Sequence, residues 1–333
     1  MTTVLLAGRM ASSIEQPLVK ALGENGLAVE VEAIPDYSLD RFRNAVGGAL
    51  VVVTPQLGSE VIYAASRLRF VQCTGTGVDR IDTMALDPDV VVATTGGHGQ
   101  AMAEYVIGTA IVLARRLLHA DRALRRGSWA AAGFGADRPG ADLAGRRATI
   151  VGSGRVAEAL IPRLHALGLV VTVIARRTTE ATARLGTEVD CRPLAKLNEV
   201  LSTTELLIVA VPRNALSLGL IDAGRLHRLP PDAIVVNIAR GGIVDEEALI
   251  SAVRAGKLAG AAIDVWSAEP PDAGIRQPPT DIPFRDLDNL IVTPHLAGWS
   301  LHTSREREGQ MVGNVIRFLR GEKPERVLPR AFA

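Results

Sequence analysis

The stretch RATIVGSGRVAEAL, residues 147–160, decides the fold. An apolar run leads into Gly152-Ser153-Gly154-Arg155-Val156-Ala157, and a helical pattern follows. The first glycine permits a tight turn, and the second lets backbone come close to a pyrophosphate. The third position takes a small residue so that helix and sheet can pack, and Ala157 serves. N–H groups at the start of the helix then face the phosphates. Glycine turns occur in any α/β protein. The strand before this one and the helix after it supply the required context. Gly152, Gly154, Arg155 and Val156 are therefore expected contacts of a dinucleotide.

The next apolar run, 170–175, ends at Ala175, and Arg176 and Arg177 follow. In such a fold a residue about 20 positions past the glycines reads the ribose. A carboxylate there bonds both ribose hydroxyls and repels a 2′-phosphate. Two guanidinium groups invert that preference, because they bind phosphate through bidentate, charge-assisted bonds. Thr178 and Thr179 can add hydroxyl donors. The expectation is NADP(H) in preference to NAD(H), set against the plainer reading of a solvated basic turn.

Beyond the cradle, short apolar runs alternate with helical patterns. Strands are expected at 3–7, 28–33, 49–53, 69–73 and 90–93, then at 148–152, 170–175, 206–211, 233–238, 261–265 and 290–293. That rhythm predicts α/β architecture with two doubly wound parallel sheets. A long helix from near Gln100 towards Arg126 separates the two series, and 127–145 reads as a loop. A last helix over 302–320, with Met311, Val315, Ile316 and Leu319 on one face, is placed to return to the first domain. The chain has 333 residues, 47% of them hydrophobic, and a formal net charge of +1. That size fits two domains, and the balanced charge excludes nucleic acid and anionic membrane as expected partners. The run YVIGTAIVLA (105–114) is too short to span a bilayer, and the N-terminus has no signal-like lead. Cys73 and Cys191 are isolated, so neither a metal site nor a disulfide framework is expected. A cytoplasmic protein is the expectation.

Chemistry concentrates at expected strand ends. Asn237 to Arg240 closes one strand, Asp245 looks like a helix N-cap, and Asp264 ends the next strand. Glu269 follows in a loop fixed by Pro270 and Pro271, and His295 comes after Pro294. Ligands bind beyond the carboxyl ends of such strands. An arginine there can grip a carboxylate, a histidine can exchange a proton near neutral pH, and a glutamate can orient the imidazole. Each residue taken singly has a bland reading as a surface group. Together they suit hydride transfer to a 2-oxo acid.

The segments GSGRVAEAL, NIARGGIVDEEAL, GAAIDVWSAEP and TPHLAGW resemble the D-2-hydroxyacid dehydrogenases. LRFVQCTGTGVDRID (68–82), AMAEYVIG (101–108) and ALRRGSW (123–129) are similar too, so the resemblance covers nearly the whole chain. It implies Rossmann-like and flavodoxin-like domains with a cleft between them. Residues 1–98 and 300–333 would form the substrate domain, and 99–299 the dinucleotide domain. Arg240 would bind the substrate carboxylate and polarise the carbonyl. His295 would donate the proton in reduction and accept it in reverse, paired with Glu269, which favours its charged form. Asp264 would hold the nicotinamide carboxamide. Pro212, Ile238, Ala239, Arg240, His295 and Gly298 would also line the cofactor. Backbone N–H groups at Thr76, Gly77 and Val78 would hold the carboxylate. A homodimer through the cofactor domains is implied.

The chain departs from the family pattern in places. Tyr105 stands where a histidine is common, and His98, Arg213 and Trp299 are unusual at their positions. Cys73 reads as a small buried hydrophobe, and His302 with SREREGQ (304–310) as a solvated helix face. The ending near Ala333 is read as lacking the regulatory domain of longer phosphoglycerate dehydrogenases. Few charged groups occur in GRMAS, TPQLG and GTGVD, so a small or apolar 2-oxo acid is the expected substrate. Two alternatives stand beside the enzyme reading. One is a nucleotide-sensing corepressor module; the other is a dehydrogenase of another small anion, such as formate or phosphite.

Overall fold

The computed structural model describes residues 3–129, 139–270 and 279–329. Among these, the chain divides into two compact units. Among the described residues, the first holds the chain up to Gly97 and again from Ser300, and the second holds His98–Pro270 and 279–299.

In the first unit, strands β1 (Thr3–Ala7), β2 (Glu30–Ile34), β3 (Ala49–Thr54), β4 (Phe70–Cys73) and β5 (Val91–Ala93) form a sheet of order β2-β1-β3-β4-β5. Every neighbouring pair is parallel. Parallel strands are covered on both faces, which explains runs such as LVVVT and FVQC with no polar alternation. Helices α1 (Arg9–Ser12), α2 (Glu15–Glu24), α3 (Leu39–Val46) and α4 (Ser59–Ile62) connect them. Leu5, Val52, Val71 and Phe42 form the core on one face; Val4, Val53 and Phe70 form it on the other. This is the flavodoxin-like strand order, with its reversal between β1 and β3.

The second unit opens with α5 (Gly99–Ala114) and α6 (Leu117–Arg125). Its sheet contains β6 (Arg147–Val151), β7 (Val170–Ala175), β8 (Asp190–Pro193), β9 (Leu206–Val209), β10 (Ile234–Asn237), β11 (Gly260–Ile263) and β12 (Leu290–Val292). The order is β12-β11-β10-β9-β6-β7-β8, again parallel throughout. From β6 the chain winds one way to β8 and then the other way to β12, which is the Rossmann order. Helices α7 (Arg155–Ala166), α8 (Thr178–Leu185), α9 (Leu197–Leu201), α10 (Ala223–Leu226) and α11 (Glu246–Arg254) complete it. The Asp245 side chain caps α11 by accepting from Ala248 N–H at 2.9 Å. The final helix, α12 (Leu301–Leu319), belongs to the first unit, where Met311 and Val315 pack with Phe70.

All eleven expected strands are present, and three differences have physical reasons. β8 is an additional edge strand whose sequence, DCRP, lacks an apolar run because one edge of it meets solvent. The expected single helix from 100 to 126 is two helices. Arg116 breaks it by adopting the left-handed conformation, with φ 54°. The face of α12 read as solvated is partly engaged. Gln310 accepts from Gly96 N–H at 2.8 Å, and Glu306 lies so close over Gly97 that a Cβ there would collide with it. The loop expected at 127–145 falls partly outside the described residues, as does Pro271. No helix among the described residues is long and apolar enough to cross a membrane.

Candidate active site

The phosphate cradle sits where the second sheet reverses, between β6 and β9. Gly152 has φ 120°, and a Cβ there would collide with the carbonyl of Ala210 beyond β9. Only glycine fits both constraints. A Cβ on Gly154 would meet nothing, so space is open above the turn. No side chain caps the first turn of α7, whose N–H groups are left for an anion. The residues present therefore fit a dinucleotide pyrophosphate. Arg155 points its guanidinium at Glu158, 3.5 Å away. Sequence reading overlooked Arg184 on α8, which donates to the Ser153 carbonyl at 3.1 Å and pairs with Glu158 at 3.3 Å. Its signal was absent because the contact spans 31 residues.

Beyond β7 the two arginines differ. Arg177 pairs with Glu180 at 3.2 Å. Arg176 is exposed and has no hydrogen bond or ion pair among the described residues. The first turn of α8 has no side-chain cap either. Arg213, past Pro212, is exposed and likewise unpaired among the described residues.

The three catalytic candidates follow three adjacent strands. Arg240 comes after β10, Glu269 after β11 and His295 after β12. Arg240 is half-buried, and its Nη1 donates to the Ala239 carbonyl at 2.7 Å. Asn237 Oδ1 accepts from Ala239 N–H at 3.3 Å, which ties the base of that turn. Gly241 is required where it stands, since a Cβ would run into the Trp266 carbonyl. The turn bearing Arg240 thus packs directly on the loop bearing Glu269. A second tie joins them: Glu246 accepts from the N–H and the hydroxyl of Ser267, both at 2.7 Å.

His295 Nδ1 lies 3.0 Å from both carboxylate oxygens of Glu269. The carboxylate can only accept, so Nδ1 carries the hydrogen and Nε2 is turned away from Glu269. The His295 side chain is 46% exposed and that of Glu269 only 15%. His295 has φ 54°, uncommon for any residue with a Cβ.

Asp264 holds that backbone in place. Its main-chain oxygen accepts from His295 N–H at 2.8 Å. Its Oδ1 accepts from Thr293 Oγ1 at 2.6 Å and Leu296 N–H at 2.8 Å, and its Oδ2 from Ala297 N–H at 2.9 Å. Burial raises the Asp264 carboxyl above the usual range, against the opposing pull of those bonds and of His295. The structure therefore gives Asp264 a positioning role beside the cofactor contact expected of it. Gly298 is half-buried, and Leu296 and Trp299 are exposed beside His295.

In the first unit, the loop after β4 carries Thr76, Gly77 and Val78. Thr76 Oγ1 donates to the Thr95 carbonyl at 2.8 Å, and Cys73 Sγ donates to the Gly77 carbonyl at 3.3 Å. The N–H groups of Gly77 and Val78 meet no acceptor among the described residues. That is the arrangement an anion would fill. A cavity of about 370 Å³ opens at the far edge of the second sheet. Within its lining Arg146 pairs with Asp232 and His119 Nδ1 lies 3.4 Å from Asp288, and it holds none of the candidate site residues.

Residues 107–297 match the family described as D-isomer specific 2-hydroxyacid dehydrogenase, NAD binding domain. The chain belongs to that family. A glyoxylate reductase from Pyrococcus furiosus is 32% identical over 92% of this chain and 93% of its own length. A D-3-phosphoglycerate dehydrogenase from Archaeoglobus fulgidus is 34% identical over 92% of this chain. The chain spans only 55% of that relative's length. Among solved structures, the NADPH-dependent glyoxylate/hydroxypyruvate reductase of Sinorhizobium meliloti, in complex with citrate, superposes with TM-score 0.78 at 25% identity, covering 99% of this chain and 98% of that one. Family membership accounts for two parallel α/β domains and for a nicotinamide-cofactor cradle in the second.

Proposed function

We propose that the protein reduces a small 2-oxo acid to the D-2-hydroxy acid with NADP(H), and runs the reverse oxidation. The observation that carries this is the His295–Glu269 pair, held Nδ1-first at a strand end, with Arg240 two strands away in the sheet. Arg240 binds the substrate carboxylate and polarises the adjacent ketone. His295, as imidazolium, gives its Nε2 proton to the ketone oxygen and keeps Nδ1–H on Glu269. In the reverse direction neutral Nε2 takes the hydroxyl proton. When bound, the nicotinamide supplies or accepts the hydride at C2. Asp264 would receive the carboxamide, and Pro212, Ile238, Ala239 and Gly298 would line the ring and ribose. Thr76, Gly77 and Val78 offer N–H groups suited to a carboxylate. The glyoxylate reductase name of the Pyrococcus relative supports a short substrate.

NADP(H) preference rests on Arg176, with Arg177 restrained by Glu180 and Arg213 in reserve. One charge-assisted contact is worth about 1.5–3 kcal/mol. We expect a preference for NADPH over NADH in kcat/KM, and Arg176→Ala should erode it by about tenfold to a hundredfold. Initial rates with both cofactors against glyoxylate, hydroxypyruvate, pyruvate and a bulkier 2-oxo acid decide this. NADH preference in the parent would leave the arginines as a solvated turn. No turnover despite cofactor binding would turn the reading to a nucleotide-sensing module.

We also infer a homodimer. Helix α5 is apolar on nearly every face, and beyond it Leu117, Leu124 and Trp129 are exposed. An apolar helix of that kind is ordinarily covered. A molar mass by light scattering equal to that of one chain would overturn this.

A further inference from the structure

We propose that Tyr105 is a positioning residue for the proton donor, acting through Thr293 and Asp264 on the loop that presents His295. The inference rests on the reading of His295 as that donor. Tyr105 lies on α5, and its ring packs against the core of the second unit. Its phenol oxygen is 2.7 Å from Thr293 Oγ1, which is 2.6 Å from Asp264 Oδ1.

The direction of this chain follows from counting hydrogens. An ionised carboxylate only accepts, and a threonine hydroxyl has a single hydrogen. Thr293 must therefore donate to Asp264, and its oxygen is left to accept from Tyr105 O–H. Burial pushes the Tyr105 phenol up to about 12, so it remains a donor through the whole working range of pH.

Asp264 is where this chain meets the catalytic loop. The carboxylate that receives Thr293 also receives Leu296 N–H and Ala297 N–H, and the main-chain oxygen receives His295 N–H. These bonds hold His295 in its left-handed conformation and aim Nδ1 at Glu269. Thr293 is itself fixed from three other directions. Its N–H donates to the Ile263 carbonyl at 3.0 Å, its carbonyl accepts from Trp266 Nε1 at 3.0 Å, and its hydroxyl is held by Tyr105. Without the phenol donor, the Thr293 hydroxyl is free to leave its rotamer, and Asp264 loses the bond that orients Oδ1. Packing alone does not explain the residue. A phenylalanine would fill the same space without burying an oxygen that then needs a partner.

The test is Tyr105→Phe in the full chain. The expected result is a fall in kcat on the order of tenfold, with KM for the 2-oxo acid and Kd for NADPH within about twofold. The downfield proton resonance of His295 Nδ1–H against Glu269 should shift or broaden. Thr293→Val should reproduce the loss, Thr293→Ser should restore most of the rate, and the double variant should be no worse than either single one. Parent-like kcat with an unchanged resonance would overturn the proposal. So would a rate loss shared equally by KM and thermal stability, or fully additive single losses. The resonance separates this inference from the functional reading. If the parent turns over no 2-oxo acid, that reading fails, and the Tyr105→Phe spectrum still decides whether the hydroxyl positions His295.

Discussion

Arg240→Ala is expected to lower kcat/KM for a 2-oxo acid by about a thousandfold, while Kd for NADPH stays within a few-fold. Removing one partner of a desolvated, hydrogen-bonded charge pair costs about 2–5 kcal/mol, and each 1.4 kcal/mol is about tenfold. The surroundings of Arg240 argue for the upper part of that range. Its fork is already oriented by the bond from Nη1 to the Ala239 carbonyl, so little freedom is lost on binding. The turn beneath it is tied by Asn237 and pressed against Trp266 at Gly241. Arg240→Lys should recover only part of the loss, because a point charge does not reproduce the bidentate geometry. Initial rates combined with cofactor titration by fluorescence check both variants. A parent-like kcat/KM in Arg240→Ala would remove the carboxylate assignment and with it the case for a 2-oxo acid.

What could be read before folding was local. Strand, glycine turn and helix at 147–160 carry their own context, and the structure places that turn at the sheet reversal, where Gly152 meets Ala210. Edge strand β8 was invisible because DCRP has neither apolar alternation nor β-branched residues. The break between α5 and α6 was invisible because Arg116 takes a left-handed conformation without a glycine to announce it. Longer-range ties left no pattern at all. Tyr105 and Thr293 are 188 residues apart, and Glu246 reaches Ser267 across 21. Each of these polar residues has an ordinary solvated reading in isolation. Only the fold reveals that they converge on the three loops carrying Arg240, Glu269 and His295.

His295→Asn should lower kcat by about 10²–10⁴-fold, the range over which a positioned general acid contributes. The choice of asparagine follows from the backbone. At φ 54° most residues would add strain, whereas asparagine adopts this region readily. Its side chain can also donate to Glu269, so the 15%-exposed carboxylate keeps a second donor beside Trp266 N–H. The variant should therefore fold with a melting temperature close to the parent's and bind NADPH normally. Glu269→Gln provides the graded companion. An amide can still contact Nδ1, but it no longer stabilises the imidazolium, so its loss should be smaller than that of His295→Asn. The order of the two losses is the informative part. If Glu269→Gln were the more damaging, the carboxylate would be acting on substrate directly and His295 would be the supporting group. If His295→Asn kept the parent's kcat, the proton would come from elsewhere. The chain of bonds from Tyr105 through Asp264 would then be holding a loop rather than aiming an acid.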